Sequence, residues 1–573
     1  MRGPASDVRR LSESRLAWLF LVALVIFAAG VGLRDPWPAD EPRFVLNALE
    51  MIETGNWLIP HRGGEAYPDK PPIFMWASAV SILATGSVRL GFLLPSILAA
   101  LGTLWLVVDI TRRLHGRRIA MLAGLALIAT VQFALQAKLA QIDMLVTFWI
   151  TLGAYGMMRH ALLGPARHWW LIGCAAMGFG VITKGVGFLP LLMVPVWTAL
   201  ARRGDAQPLP AWELLAGFGV VLAAIAVWVV PMAMYTTASG DPALLAYRDN
   251  ILLRQTAERY ADSWGHLQPW YYFVVEVAPW AWLPLWLAIP WAVPNWWRRL
   301  RRGDARTILP LSGVILILIF FSLSPGKRGV YLLPTVPLLV LALAPMLPGL
   351  LDKRGPNWLA TGFLVFLGGL LGTAAVMGWT GFEPLMELSE KHDATPWPWL
   401  AFLAAAMIGL LARLKPRRGA MALALWLGIL WPTVGLFAWP DMNDSRSPRD
   451  LMRHVVEITG EDAWLAVHDF GEEFLLQTRQ PTVHFSYHAQ DGQEALRAFD
   501  WLQQAPTKRW LLIAQEHDGL IDCMDRSEAH DLGFQNSQHW WLFPGTAAAG
   551  CEGDPDAAPV FVAPTSLRRS PYL

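Results

Sequence analysis

Apolar residues run along this chain in long blocks, broken by short clusters of Arg, Lys, Asp and Pro. A bilayer core takes about 20 apolar residues as helix. On that measure the blocks at 16–33, 88–108, 117–135, 142–160, 168–183, 187–201, 211–236, 269–293, 307–323, 330–348, 357–378, 397–413 and 419–438 read as membrane spans. One further apolar run, 73–86, is short. Arg2, Arg9, Arg10 and Arg15 precede the first span and no small-residue cleavage site follows it, so it reads as an uncleaved span rather than a signal peptide. Basic loops set direction, because Lys and Arg stay cytoplasmic. Arg112-Arg113 with Arg117-Arg118, Arg159 and Arg167, Arg202-Arg203, Arg298 to Arg306, Lys353-Arg354 and Arg413 to Arg418 all alternate correctly if 73–86 lies as a shallow helix and does not cross. The expectation is thirteen crossings.

That topology places 34–87, 237–268 and 439–573 outside, with the short loops around Lys138–Asp143, Lys184 and Lys327–Arg328. From about residue 440 the pattern becomes that of a soluble domain. Ala463–Val467, Thr482–Tyr487 and Trp510–Ala514 read as strands, while 448–459 and 491–505 have helical spacing. The predicted fold class is an α-helical polytopic membrane protein, with residues 1–440 in the membrane and 441–573 as a small periplasmic α/β domain.

Composition changes this picture in a few places. Of 573 residues 54% are hydrophobic and 16% charged, where a soluble chain carries about a quarter charged; a purely soluble enzyme is excluded. Net charge is +1, so no polyelectrolyte field calls for nucleic acid, and the bilayer is the expected surrounding. Three cysteines exclude a disulfide scaffold and a Cys-cluster metal site. Cys523 and Cys551 fall in the outer domain, where an oxidising compartment permits a disulfide and leaves the pairing open. Cys174 reads as core. The 31 Trp suit membrane interfaces.

The candidate chemistry is what the topology rule leaves over. Asp40 and Glu41 precede Pro42, Arg43 and a helical apolar stripe from Phe44 to Ile52. The pair either caps that helix or stands at a cavity mouth as base or metal ligand. Lys70, between Asp69 and two prolines, sits on stiff extended backbone, as an interfacial anchor or a phosphate clamp. Asp143 opens a span, where an acid is costly unless it caps, pairs or functions. Lys184, Lys327 and Arg328 put cations at outer span ends, where each alone reads as an anchor. Residues Tyr247 to His266 read as an amphipathic surface helix, followed by the aromatic belt Trp270-Tyr271-Tyr272. Together these residues suit an anionic lipid phosphate held beside carboxylates at the outer face.

With these pieces in order, the chain resembles the protein O-mannosyltransferase superfamily, and within it the bacterial aminoarabinose (lipid A) transferase-like branch. The resemblance rests on Asp40-Glu41-Pro42-Arg43-Phe44, Gly55 to Pro60, Asp69-Lys70-Pro71-Pro72, Lys138 to Met144, Thr183-Lys184-Gly185, Glu258-Arg259-Tyr260, Pro269 to Tyr272 and Phe321 to Pro334. It implies a GT-C glycosyltransferase that takes a sugar from a polyprenyl-phosphate carrier to a periplasmic-side acceptor, a membrane lipid such as lipid A or another glycan. Asp40 and Asp143 fall at its two acidic active-site positions. Arg43, Lys70, Arg259 and Tyr331 fall where the carrier phosphate is expected, and Lys327 is a further candidate. Asp69 stands where that branch has Glu, and Thr256 where it has His, which leaves a divalent metal at Asp69 open. Three other readings compete: transfer to a protein hydroxyl or another surface glycan, a lipid-linked sugar flippase, and a non-catalytic sensor with the α/β domain as receptor. A flippase would carry internal repeats and midplane ionisable residues, whereas here the polar residues cluster at outer span ends.

Overall fold

The structure is a computed structural model and describes residues 4–253, 266–468, 471–487, 491–515, 519, 521–535, 538–553, 561–562 and 572. Among these, seven helices are long and apolar enough to cross a membrane: Val88–His115, Ala211–Ser239, Ala305–Leu323, Gly329–Asp352, Arg354–Trp379, Trp397–Leu414 and Pro416–Asp441. Two broken pairs, Arg117–Ala129 with Val131–Ala137 and Phe273–Ala281 with Leu285–Arg301, bend by 70° and 107° and bring the number to nine if each is one span. Leu16–Ala28, Ile73–Thr85 and Leu189–Arg202 are shorter apolar helices. The other predicted spans fall on helices Ile142–Leu163 and Arg167–Lys184, whose Asp143, Arg159, Arg167 and Lys184 dilute their apolar character.

Burial separates the inner helices from the outer ones. Val88–His115 and Gly329–Asp352 are 72% and 78% buried, whereas Ala211–Ser239, Arg354–Trp379 and Trp397–Leu414 are 22–28% buried. The latter expose Leu215, Phe218, Met234, Phe366 and Ile408. Apolar surface on that scale marks contact with lipid, and the chain is a multi-pass membrane protein.

Helix Val88–His115 also separates two charged ends. Near its start Arg89 pairs with Asp35 at 2.8 Å. At its finish Asp109 takes Arg112 and Arg113 at 2.8 and 2.6 Å and Arg159 at 3.6 Å. Arg306 reaches the Leu114 carbonyl at 3.5 Å. Arg112-Arg113, Arg159 and Arg306, from three of the basic clusters read from the sequence as one side, therefore meet at one end, about 35 Å along the helix from Arg89.

The C-terminal region carries a six-stranded sheet in the order His530–Gln535, Gln538–Pro544, Arg509–Ala514, Trp464–Val467, Thr482–His484, Phe561–Val562. The three middle strands are parallel and the outer ones are added antiparallel. Helices Arg449–Thr459 and Asp491–Gln504 match the predicted segments. Sequence reading found the parallel strands and missed the hairpin His530–Pro544, because His530, Asp531 and Gln535 dilute its first strand. Cys523 and Cys551 are bonded, with Cα atoms 5.1 Å apart, and Cys174 is buried.

The sheet region docks on the 34–87 segment. His484 Nε2–H donates to the Gly63 carbonyl at 2.9 Å, at the tip of hairpin His61–Ala66. Ser486 and the Tyr487 amide donate to Glu65 at 2.8 and 3.2 Å, and the Tyr487 hydroxyl donates to Ala66 at 3.0 Å. Arg449 and Ser447 reach Asp35 at 2.6 and 2.9 Å. Buried charges held by several donors fix a register rather than merely adding contact area.

Candidate active site

Helix Glu41–Thr54 begins where Pro42 in its first turn predicts. Asp40 holds the N-cap position but makes no side-chain capping bond. Its carboxylate instead accepts from Gln141 Nε2 at 3.0 Å and Arg328 Nη2 at 3.4 Å, with Arg43 at 3.8 Å. Glu41 turns the other way and is 3% exposed. It accepts from both Nη atoms of Arg34 at 2.5 and 2.8 Å, from the Trp37 amide at 3.0 Å and from the Ala140 amide at 2.9 Å. The Arg34 guanidinium lies against the rings of Trp37 and Trp439, at 4.9 and 4.8 Å. Glu41 thus ties the loop before it to the 138–141 loop. Lys138 completes that junction, its Nζ donating to the Ile26 and Ala29 carbonyls at 2.9 and 2.6 Å at the end of the first helix.

Asp143 lies in the first turn of Ile142–Leu163, beyond the N-cap Gln141. It pairs with Lys184, the last residue of Arg167–Lys184. Gly185, at φ 83°, ends that helix in the left-handed region, where a side chain is disfavoured. The Lys184 ammonium lies 4.8 Å from the Tyr331 ring, and Tyr331 packs on Phe321 at 5.2 Å. Lys70 Nζ donates to the Asp69 carbonyl at 2.9 Å.

These residues share a cavity of about 880 Å³. Asp40, Asp69, Lys70, Asp143, Lys184, Arg328 and Tyr331 line its polar part, and Val181, Phe188, Ile225, Trp228, Phe320 and Phe321 its apolar walls. The cavity gathers Asp40, Asp143, Lys70, Tyr331 and Asp69 of the sequence candidates. Glu41, Arg43 and Lys327 do not line it. Arg43 stands beside Asp40 and donates to Glu472 Oε1 at 2.7 Å, an oxygen that Arg62 shares at 2.6 Å. Lys327 is 4% exposed and its Nζ donates to the Gln268 carbonyl at 2.7 Å. Arg259 lies outside the described residues, as do residues 254–265 of the predicted 247–266 helix; its start falls on helix Pro242–Asp249.

Sequence reasoning named Lys184 and Arg328 only as span-end anchors; the structure puts both on the cavity wall. Glu472 had no signal at all, since its partner Arg43 is 429 residues away. Among the described residues no group of three or more His, Cys, Asp or Glu stands together to hold a metal, so Asp69 has no such set around it. Fixed cations beside carboxylates, next to apolar walls, suit a ligand with a phosphate and a hydrocarbon tail. In such a site oriented charge acts with little screening.

Comparison with known proteins bears on this geometry. Residues 14–239 match the family described as dolichyl-phosphate-mannose-protein mannosyltransferase. An undecaprenyl phosphate-alpha-4-amino-4-deoxy-L-arabinose arabinosyl transferase of Edwardsiella ictaluri is 28% identical over 465 residues, covering 76% of this chain and 78% of the relative. One of the same description from Aeromonas salmonicida is 27% identical over 528 residues, 87% of this chain and 91% of the relative. Among solved structures, ArnT from Cupriavidus metallidurans bound to undecaprenyl phosphate matches with a TM-score of 0.72 at 20% identity, over 94% of this chain and 99% of that one. The fold expected from the motifs is the fold found.

Proposed function

We propose that this chain is an aminoarabinose-transferase-like member of the protein O-mannosyltransferase (GT-C) superfamily, and that it moves an aminopentose from undecaprenyl phosphate to lipid A. The donor follows the description of the relatives. The observation that carries the reading is the cavity itself, where Asp40, Lys70, Asp143 and Tyr331 meet beside walls of Phe, Val and Ile.

In this reading the carrier's tail lies along the apolar walls and its phosphate faces Lys70 and Tyr331. Arg259 is kept as a carrier-phosphate candidate from the motif alone. Departure of the sugar builds negative charge on the carrier phosphate, and Lys70 stabilises it as a point charge. Lys184 fixes the Asp143 carboxylate, which then orients the sugar. Arg43 and Lys327 act by holding the surrounding loops. We further place the cavity and the C-terminal region on the periplasmic side of the inner membrane, with thirteen crossings. The separated basic end and the Cys523–Cys551 disulfide support that placement.

The test is a transfer assay on the purified full-length chain, with undecaprenyl-phosphate-linked aminoarabinose as donor and lipid A as acceptor. Wild type is expected to transfer, and Lys70→Ala to lose about 10²-fold or more in kcat/KM. Transfer only to a protein or another glycan would replace lipid A as acceptor. Transfer undiminished in both Lys70→Ala and Asp40→Asn would remove the site.

A further inference from the structure

The polar part of the cavity carries two sets of charged residues. In one, Lys184 is paired with Asp143 and lies over Tyr331, whose ring packs on Phe321 of the apolar wall. In the reading above, the carrier phosphate faces Tyr331 beside this set. The other set is centred on Asp40 and adjoins Arg43, which is tied to Glu472 of the sheet region.

Arg328 belongs to this second set. Its side chain is 41% exposed, and among the described residues its one polar side-chain contact is Asp40 at 3.4 Å. That is long for a charge-assisted bond, which forms at about 2.7–2.9 Å. The backbone that presents it is firmly held. The Lys327 amide donates to the His266 carbonyl at 2.9 Å, Lys327 Nζ donates to the Gln268 carbonyl at 2.7 Å, and Gly326 bridges to Leu267. A fixed loop therefore offers a lightly engaged guanidinium to the cavity. A guanidinium can grip a phosphate through two parallel N–H bonds, which an ammonium cannot.

We propose that Arg328 is the acceptor subsite, a guanidinium that leaves Asp40 to hold a phosphate of the acceptor lipid. The assignment rests on the glycosyl-transfer reading above. In the step it serves, an acceptor phosphate oxygen forms a bond to the anomeric carbon. The bond from that carbon to the carrier phosphate oxygen breaks, and its electron pair leaves with the carrier phosphate. An ionised phosphate brings no proton to remove. Asp40, whose Oδ2 accepts from Gln141, then orients the sugar and accepts no proton.

The test compares wild type, Arg328→Gln and Arg328→Lys of the full chain in detergent. Binding is measured for lipid A, for enzymatically dephosphorylated lipid A and for undecaprenyl phosphate, and transfer kinetics are measured beside it. Arg328→Gln is expected to weaken lipid A binding and raise its KM about 10- to 100-fold. Undecaprenyl phosphate binding should stay within about 2-fold of wild type, which also reports an intact fold. Dephosphorylated lipid A should no longer distinguish wild type from Arg328→Gln, and Arg328→Lys should recover part of the loss. A loss of undecaprenyl phosphate binding instead would assign Arg328 to the donor and overturn the proposal. So would equal discrimination between the two lipids in wild type and Arg328→Gln. If wild type binds in the expected pattern but transfers nothing, the transfer reading falls and the phosphate subsite stands.

Discussion

Asp143 and Lys184 are 11% and 14% exposed and neutralise each other at the polar end of the cavity. Removing one member of so buried a pair strands the other charge, at a cost of about 3–5 kcal/mol, whereas removing both costs less. Lys184→Ala is therefore expected to lower thermal stability more than Lys184→Ala with Asp143→Ala, while both abolish transfer. Melting of the two proteins in one detergent decides it, and a double variant less stable than the single one would refute the pairing. The same pair shows what a sequence can carry at this scale. An acid and a cation at span ends are visible as residues the topology rule does not require, but their partner is not. Asp40 and Glu41 are adjacent, and the local hydrophobic pattern does not separate them, yet one faces the cavity and the other is enclosed by Arg34 and two amides. Which way each points is set by the 138–141 loop, about a hundred residues on.

At the scale of elements, the hairpin His61–Ala66 is held between two titratable groups. Glu50 of helix Glu41–Thr54 accepts from the Gly63 and Gly64 amides at 2.7 and 3.2 Å, and His484 donates to the Gly63 carbonyl. Burial pushes the Glu50 carboxyl up to about 7, the two amides opposing and Glu53 reinforcing it. Burial pulls the His484 imidazole down to about 4, against its bond to Gly63 and aided by Arg62. The signs are opposite. The Glu50 contribution is full below its usual 4.5 and is lost as pH rises through about 7. The His484 contribution is full above its usual 6.5 and is lost as pH falls through about 4. In wild type the two oppose each other across the acid range. Glu50→Gln should leave a docking that strengthens with rising pH up to about 6.5, and His484→Gln one that weakens up to about 7. Hydrogen exchange of residues 61–66 between pH 4 and 8 reads both, and identical profiles in the three proteins would contradict the assignment. The helices themselves were legible, because apolar length and Pro42 mark them. The two-residue strands of this hairpin carry no periodicity, and only tertiary contacts define them.

For the whole molecule, the question is how the C-terminal region bears on a cavity it does not line. Among the described residues no lining residue lies beyond Pro334. The connection runs through Glu472, which is 5% exposed and receives Arg43 and Arg62 on one oxygen, and through Arg43 to Asp40. Released from Glu472, Arg43 is free to close on Asp40 and shift it from the reacting sugar. A displacement near 1 Å at a reacting centre costs about 10²-fold in rate. Glu472→Gln is therefore expected to lower kcat about 10- to 100-fold with donor KM little changed, although the substituted residue never meets substrate. The disulfide gives the matching contrast. It closes a segment of 28 residues in the same region, so Cys523→Ser with Cys551→Ser should cost roughly 3–4 kcal/mol of stability. Among the described residues it takes no part in the contacts that run from Glu472 through Arg43 to Asp40, so kcat at 25 °C should hold. Calorimetry and steady-state kinetics on the two variants separate coupling from stability. If both lose rate in proportion to stability, the sheet region is a scaffold for the cavity. If Glu472→Gln alone loses rate, the region sets the position of Arg43 and through it the geometry at Asp40.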